Sequence, residues 1–82
     1  MQNKNVLEVF TDASYADYVA ATACVAVYGD LIVEQHATAY ETSSIHTEHH
    51  ELIGIANALK LAVKVIRRKK FKDINVVVLC DN

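Results

Sequence analysis

Three acidic residues lie where the apolar segments of this 82-residue chain begin or end. Asp12 follows the apolar segment 6–10, and Asp81 follows the segment 76–80. Glu51 lies at the start of a long helical pattern. Ligands bind open α/β sheets at the carboxyl ends of the strands, and three carboxylates gathered there would repel one another unless a cation lay among them. Asp12, Glu51 and Asp81 are therefore candidate metal ligands and catalytic residues.

The type of ligand indicates the type of ion. Carboxylate oxygens without nitrogen or sulfur ligands favour a hard cation, Mg²⁺ or Mn²⁺, rather than zinc. Two such ions about 4 Å apart can bind both the attacking and the leaving oxygen of a phosphodiester. The sequence thus predicts a carboxylate-held Mg²⁺ or Mn²⁺ site suited to phosphodiester hydrolysis.

A cluster of histidines forms an alternative candidate site. His46 and His50 are four residues apart and could chelate zinc from one helical face, although nothing elsewhere supplies obvious third and fourth ligands. The cluster could equally be polar residues at a frayed helix start. A third possibility is that His49 or His50, next to Glu51, moves protons at the carboxylate site.

Three strands precede the helical pattern. The segments 6–11, 19–28 and 31–40 are rich in β-branched and apolar residues, whereas the small and acidic residues 12–17 interrupt the pattern. Gly29 and Asp30 form a hairpin signal between the second and third strands. We expect an antiparallel three-stranded meander followed by a loop at residues 42–44.

The helical pattern supplies the crossover that gathers the acidic residues. Thr47 is a plausible N-cap, and the apolar spacing of three and four residues predicts one core-facing stripe made of Leu52, Ile55, Ala56, Leu59, Ala62, Val63 and Ile66. The segment 74–80 then reads as a fourth strand parallel to the first. This arrangement brings Asp12 and Asp81 to one sheet edge below Glu51. It also places the first strand between the strands of Cys24 and Cys80, and this separation excludes a disulfide between them.

Composition excludes several classes of protein. Residues 1–82 make one domain at most, and the polar start lacks the apolar core of a signal peptide. No segment is long and apolar enough for a membrane span, so we expect a cytoplasmic or nuclear protein that is not secreted. The net charge of −2 does not indicate nucleic-acid binding. The basic residues 67–70 could nevertheless contact phosphates rather than only end the helix.

These motifs, taken in order, resemble the first half of a ribonuclease H domain. The segment FTDAS at residues 10–14 resembles the family's first-strand motif, with alanine in its glycine position. The segment HEL at residues 50–52 resembles the start of its helix motif, and VVLCDN at 77–82 resembles its fourth-strand motif. The resemblance implies an incomplete α/β domain of ribonuclease H-like fold over residues 1–82.

The resemblance also implies a function. Asp12, Glu51 and Asp81 would be ligands of a two-magnesium site that hydrolyses the RNA strand of RNA–DNA hybrids. The family continues with further helices, a fifth strand and a fourth acidic ligand, so this chain alone should have little or no activity. We expect a C-terminal segment or another chain to pair with the edge of the fourth strand.

A second function class remains open. The same fold could serve as a non-catalytic module for protein assembly or nucleic-acid docking. Such a module would not require Asp12 or Asp81, so asparagine at both positions should leave its function intact.

Overall fold

The computed structural model of the protein describes residues 5–80, except for the side chain of residue 47. This part of the chain is an α/β fold with one helix and a mixed four-stranded sheet. The elements are β1 (Val6–Ala16), β2 (Val19–Tyr28), β3 (Leu31–Glu41), α1 (Thr47–Lys69) and β4 (Asn75–Cys80). The strand order is β3-β2-β1-β4, antiparallel except for the parallel pair β1 and β4. The predicted meander and parallel fourth strand are confirmed.

The first strand is longer than the sequence predicts. β1 continues through Asp12 and pairs with β2 as far as Ala16 opposite Val19. The turn that follows is made by Asp17 and Tyr18, whose φ angles are 52° and 65°. A two-residue hairpin of right-handed twist requires this left-handed pair. Cross-strand pairing with β2 outweighs the weak β propensity of the small residues, so the predicted interruption is wrong for residues 12–16 and correct only for Asp17.

The helix packs on the sheet with a different face from the predicted stripe. The buried residues of α1 are His50, Gly54, Ala58, Leu61, Ala62 and Val65. Of the predicted stripe, Leu52, Leu59 and Val63 are instead among the exposed hydrophobic residues. α1 is apolar on two opposite faces, and the face with the smaller side chains packs on the sheet because it allows a closer approach.

Gly54 marks the point of closest approach between helix and sheet. A Cβ added there would lie 2.9 Å from Oγ1 of Thr11 on β1 and 3.8 Å from Cγ2 of Thr22 on β2. The thiol of Cys24 fills the remaining space, with Sγ 3.7 Å from the Gly54 carbonyl oxygen. Below this point the core continues as a cluster of Leu7, Val9, Cys24, Ala26, Ala58, Leu61, Ala62 and Val65.

Both ends of α1 are fixed by the backbone. The N-cap residue is His46, without a side-chain capping hydrogen bond, and the helix includes Thr47, so the predicted N-cap is displaced by one residue. At the other end Lys70 adopts a left-handed conformation with φ 57°. The N–H of Phe71 donates to the carbonyl of Ile66 at 3.1 Å, which ends the helix before β4.

β4 is an edge strand with apolar residues on both faces. Val76, Val77 and Leu79 are each more than a third exposed. Cys24 and Cys80 are free thiols, and β1 lies between their strands as predicted. Both cysteines lie in apolar segments, which favours buried thiols, but only Cys24 is buried and Cys80 is exposed.

Candidate functional site

The last described pair of the parallel strands β1 and β4 lies next to the first candidate ligand. Its last pair is Thr11 with Cys80, and Asp12 is the next residue of β1. The Asp12 side chain is exposed, and its Oδ1 accepts a hydrogen bond from the Ala13 N–H at 2.9 Å. Asp12 therefore directly follows the last described β1–β4 pair, and it lies within β1 rather than at its end.

The first turns of α1 lie over the same end of β1. The His50 ring stacks on Tyr15 with centroids 5.2 Å apart and planes 7° apart, and Gly54 lies against Thr11. The helix thus runs antiparallel to β1. Glu51 is half-buried and belongs to the helical turn between these two contacts, at the level of β1 where Asp12 is found.

The rotation of the helix turns Glu51 towards β4. Two residues mark the side of α1 that faces β2 and β3. Asn57 Nδ2 donates to Oγ1 of Thr22 on β2 at 3.1 Å, and Arg68 contacts Glu34 on β3. At 3.6 residues per turn, Glu51 lies about 120° around the helix axis from Asn57. It therefore projects on the side of α1 that overlies β1 and β4.

Asp12 and Glu51 approach the strand end from opposite faces of the sheet. Leu7, Val9 and Thr11 are buried beneath α1, and successive strand residues alternate between faces, so Asp12 belongs to the helix-free face. A cavity of about 500 Å³ on that face has Asp12 and Phe10 among its lining residues. A ligand shared with Glu51 would therefore have to lie beyond the last described residue of β4, between the two faces.

The third candidate ligand, Asp81, lies outside the described residues. Within residues 5–80 no group of three or more histidine, cysteine, aspartate or glutamate side chains is arranged to hold a metal ion. In that same part of the chain neither Asp12 nor Glu51 forms an ion pair. The metal site therefore stays a prediction that depends on Asp81.

His50 is a buried structural residue and not part of a frayed helix start. Only 1% of its surface is exposed. Its Nε2 lies 2.9 Å from the Ser44 carbonyl oxygen, which can only accept, so Nε2 carries the proton. Its Nδ1 lies 2.8 Å from the Tyr40 hydroxyl. Since both ring nitrogens are engaged within the protein, His50 has none left for zinc or for moving protons at the carboxylates.

The role of His50 was not predicted, because the predicted core-facing stripe was assigned from the larger apolar residues of the helix. His50, Gly54, Ala58, Leu61 and Val65 share one helical face at spacings of three and four. The sequence signal for this face is that periodicity, which begins at His50 and includes the small residues Gly54 and Ala58. The histidine joins the loop at Ser44, the edge strand at Tyr40 and β1 at Tyr15, and so fixes the helix start beside Glu51.

Replacing His50 by phenylalanine is expected to destabilise the fold by about 1–3 kcal/mol, because the ring stacking on Tyr15 remains while two hydrogen bonds are lost. Urea denaturation followed by circular dichroism measures the change. His49→Phe is the matched control, because His49 is exposed, and should leave the midpoint almost unchanged. Equal midpoints for His50→Phe and the unmodified protein would refute the role assigned to the buried ring.

The basic end of α1 is tied to the edge strand. The Arg68 guanidinium donates a hydrogen bond to Glu34 on β3 and holds the pKa of that carboxyl below its usual value of 4.5. Lys64 Nζ lies 3.7 Å from the same carboxylate. Arg67 and Lys69 are exposed, so they, rather than Arg68, are free to meet other charged groups.

Comparisons with known proteins give no assignment. No protein-family model matches the chain, and no curated protein or solved structure matches it significantly. In the described part of the chain no helix combines the length and apolar character needed to cross a membrane. Any functional assignment therefore depends on the residues themselves.

Proposed function

We propose that this chain is the first part of a ribonuclease H-like nuclease domain that hydrolyses the RNA strand of RNA–DNA hybrids. The observation that carries the proposal is the β1–β4 register. Its last described pair is Thr11 with Cys80, the residues that immediately precede Asp12 and Asp81 in the sequence. If the register continues by one residue, the two aspartates become neighbours on adjacent strands about 5 Å apart.

The donor chemistry fits Mg²⁺ or Mn²⁺. The proposed ligands are Asp12, Glu51 and Asp81, which together offer only carboxylate oxygens. Asp12 has one oxygen engaged by a backbone N–H, which leaves acceptor capacity for a cation, and the described residues give neither Asp12 nor Glu51 a competing basic partner. When bound, the ions would supply an activated water and neutralise charge at the scissile phosphate.

The positions of Asp12 and of the basic residues 67–70 determine how a substrate would meet the site. Asp12 is accessible from the helix-free face of the sheet, so the substrate would approach from there. The basic residues 67–70 follow Glu51 along α1 by about 25 Å, at 1.5 Å per residue. They would therefore contact phosphates far from the scissile bond, or none.

The edge position of β4 supports the proposal that another strand completes the domain. An apolar edge strand with free backbone groups is a pairing template, and within residues 5–80 no strand pairs with the outer edge of β4. We propose that a further C-terminal segment or another chain pairs there and supplies the remaining acidic ligand. The 82-residue chain alone is then expected to bind metal and hybrid but to cleave weakly or not at all.

Hybrid binding in the presence and absence of metal tests this function. Fluorescence anisotropy with a short labelled RNA–DNA hybrid should show binding that Mg²⁺ strengthens at least about tenfold, or about 1.4 kcal/mol. The double variant Asp12→Asn/Asp81→Asn should lose this Mg²⁺ dependence. Asp30→Asn/Asp73→Asn is the control, since it removes the same charge at two exposed positions away from the site.

The same measurement separates the nuclease from a non-catalytic module. A docking module has no need of the carboxylates, so its hybrid binding would be equal in Mg²⁺ and in EDTA and unchanged by both double variants. That result would reject the nuclease proposal in favour of the module.

A further inference from the structure

The outward face of α1 carries a row of apolar side chains that the sheet does not cover. Leu52, Leu59 and Val63 are 64%, 51% and 47% exposed, and Ala56 between them is also exposed. We call these four residues the outer seam. They lie opposite the buried face of the helix, so the seam is available to a partner.

The spacing of the outer seam is that of a two-helix interface. Its residues follow one another at intervals of four, three and four, the repeat that places apolar residues along one side of a paired helix. Ile66 continues the repeat but also packs against the core. The small Ala56 allows a second helix to approach closely.

The charges beside the outer seam indicate which helix fits it. Glu48 is in the first turn of α1, and Arg67 and Lys69 are in the last. Two copies of α1 in antiparallel orientation would place the acidic start of each beside the basic end of the other, twice over, with opposed helix dipoles. A parallel pair would instead place like charges together. The helix is therefore electrostatically complementary to itself.

We propose that the outer seam pairs two copies of this chain through antiparallel α1 helices. Leu52 of one copy would pack against Val63 of the second copy, and Ala56 against Leu59 of the second copy. Glu48 would lie near Lys69 of the second copy. This interface is separate from the β4 edge and does not depend on the proposed nuclease function.

Sedimentation velocity of the 82-residue chain over a concentration series tests the pairing. A reversible dimer is expected, and Leu59→Glu should weaken it at least about a hundredfold, or about 2.8 kcal/mol. Leu31→Glu is the control, because Leu31 is 71% exposed but lies on β3. Circular dichroism should show both variants folded, since both sites are exposed and glutamate at position 59 retains helix propensity.

The orientation is tested by exchanging charges. Glu48→Lys and Lys69→Glu should each weaken the dimer, and the double variant Glu48→Lys/Lys69→Glu should restore it. A monomer at all concentrations would overturn the proposal, as would a dimer that survives Leu59→Glu. Failure of the double variant to restore pairing would overturn the antiparallel arrangement.

Discussion

Replacing Gly54 by valine is expected to destabilise the fold by about 3 kcal/mol, the upper range for overpacking a well-packed core. The first added carbon would already lie 2.9 Å from Oγ1 of Thr11. Thr11 is itself buried and cannot move aside without disturbing β1. For a domain of this size that loss is a large share of the total stability. Urea denaturation of the purified variant measures it.

A double-mutant cycle locates the effect at the helix–sheet contact. Gly54→Ala gains about 1 kcal/mol of helix propensity but places Cβ against the same oxygen, so we expect a net loss. In a Thr11→Ala background that oxygen is gone, and Gly54→Ala should cost less. Lys60→Val, at an exposed helical position, is the control for Gly54→Val, because it introduces the low helix propensity of valine without a helix–sheet contact. A Gly54→Ala variant more stable than the unmodified protein would contradict the close contact.

Replacing Asp12 by asparagine is expected to lower Mn²⁺ affinity at least about tenfold, or about 1.4 kcal/mol. An amide retains the shape of the side chain but removes the negative charge on which affinity for hard cations depends. Isothermal titration calorimetry with Mn²⁺ measures the affinity. Glu51→Gln should have a similar effect, and the double variant should lose less than the sum because both residues bind the same ions.

Glu48→Gln is the matched control for this experiment. Glu48 lies one turn before Glu51 on α1, is exposed, and removes the same charge when replaced. It should leave Mn²⁺ affinity nearly unchanged. Equal losses for Glu48→Gln and Asp12→Asn would mean that only net charge matters, and that the ions have no defined site.

The topology could be predicted from the sequence because local signals and connection rules agree. Gly29 marks the β2–β3 turn with φ 65°, and the long helix before an apolar strand requires a crossover. The crossover requires only that β4 lie parallel to one of the first three strands. β1 was favoured because the apolar segment 6–10, like the segment 76–80, is followed by an aspartate. The approximate location of Asp12 and Glu51 followed from this placement.

What the sequence did not indicate depends on tertiary packing. The core-facing side of α1 was predicted wrongly because apolar residues occupy both faces, and close approach at Gly54 decides between them. The burial of His50 depends on Tyr15 and Tyr40, which are distant in sequence. The continuation of β1 past Asp12 depends on pairing with β2.

The position of bound Mn²⁺ tests the central claim most directly. In ¹⁵N-resolved NMR spectra, Mn²⁺ broadens the amide signals of nearby residues. We expect the strongest broadening at residues 11–13, 50–52 and 79–80, and its loss in the Asp12→Asn variant. Broadening centred on Asp30, Glu34 or Glu41, or the same pattern in Asp12→Asn, would contradict a metal site shared by Asp12 and Glu51.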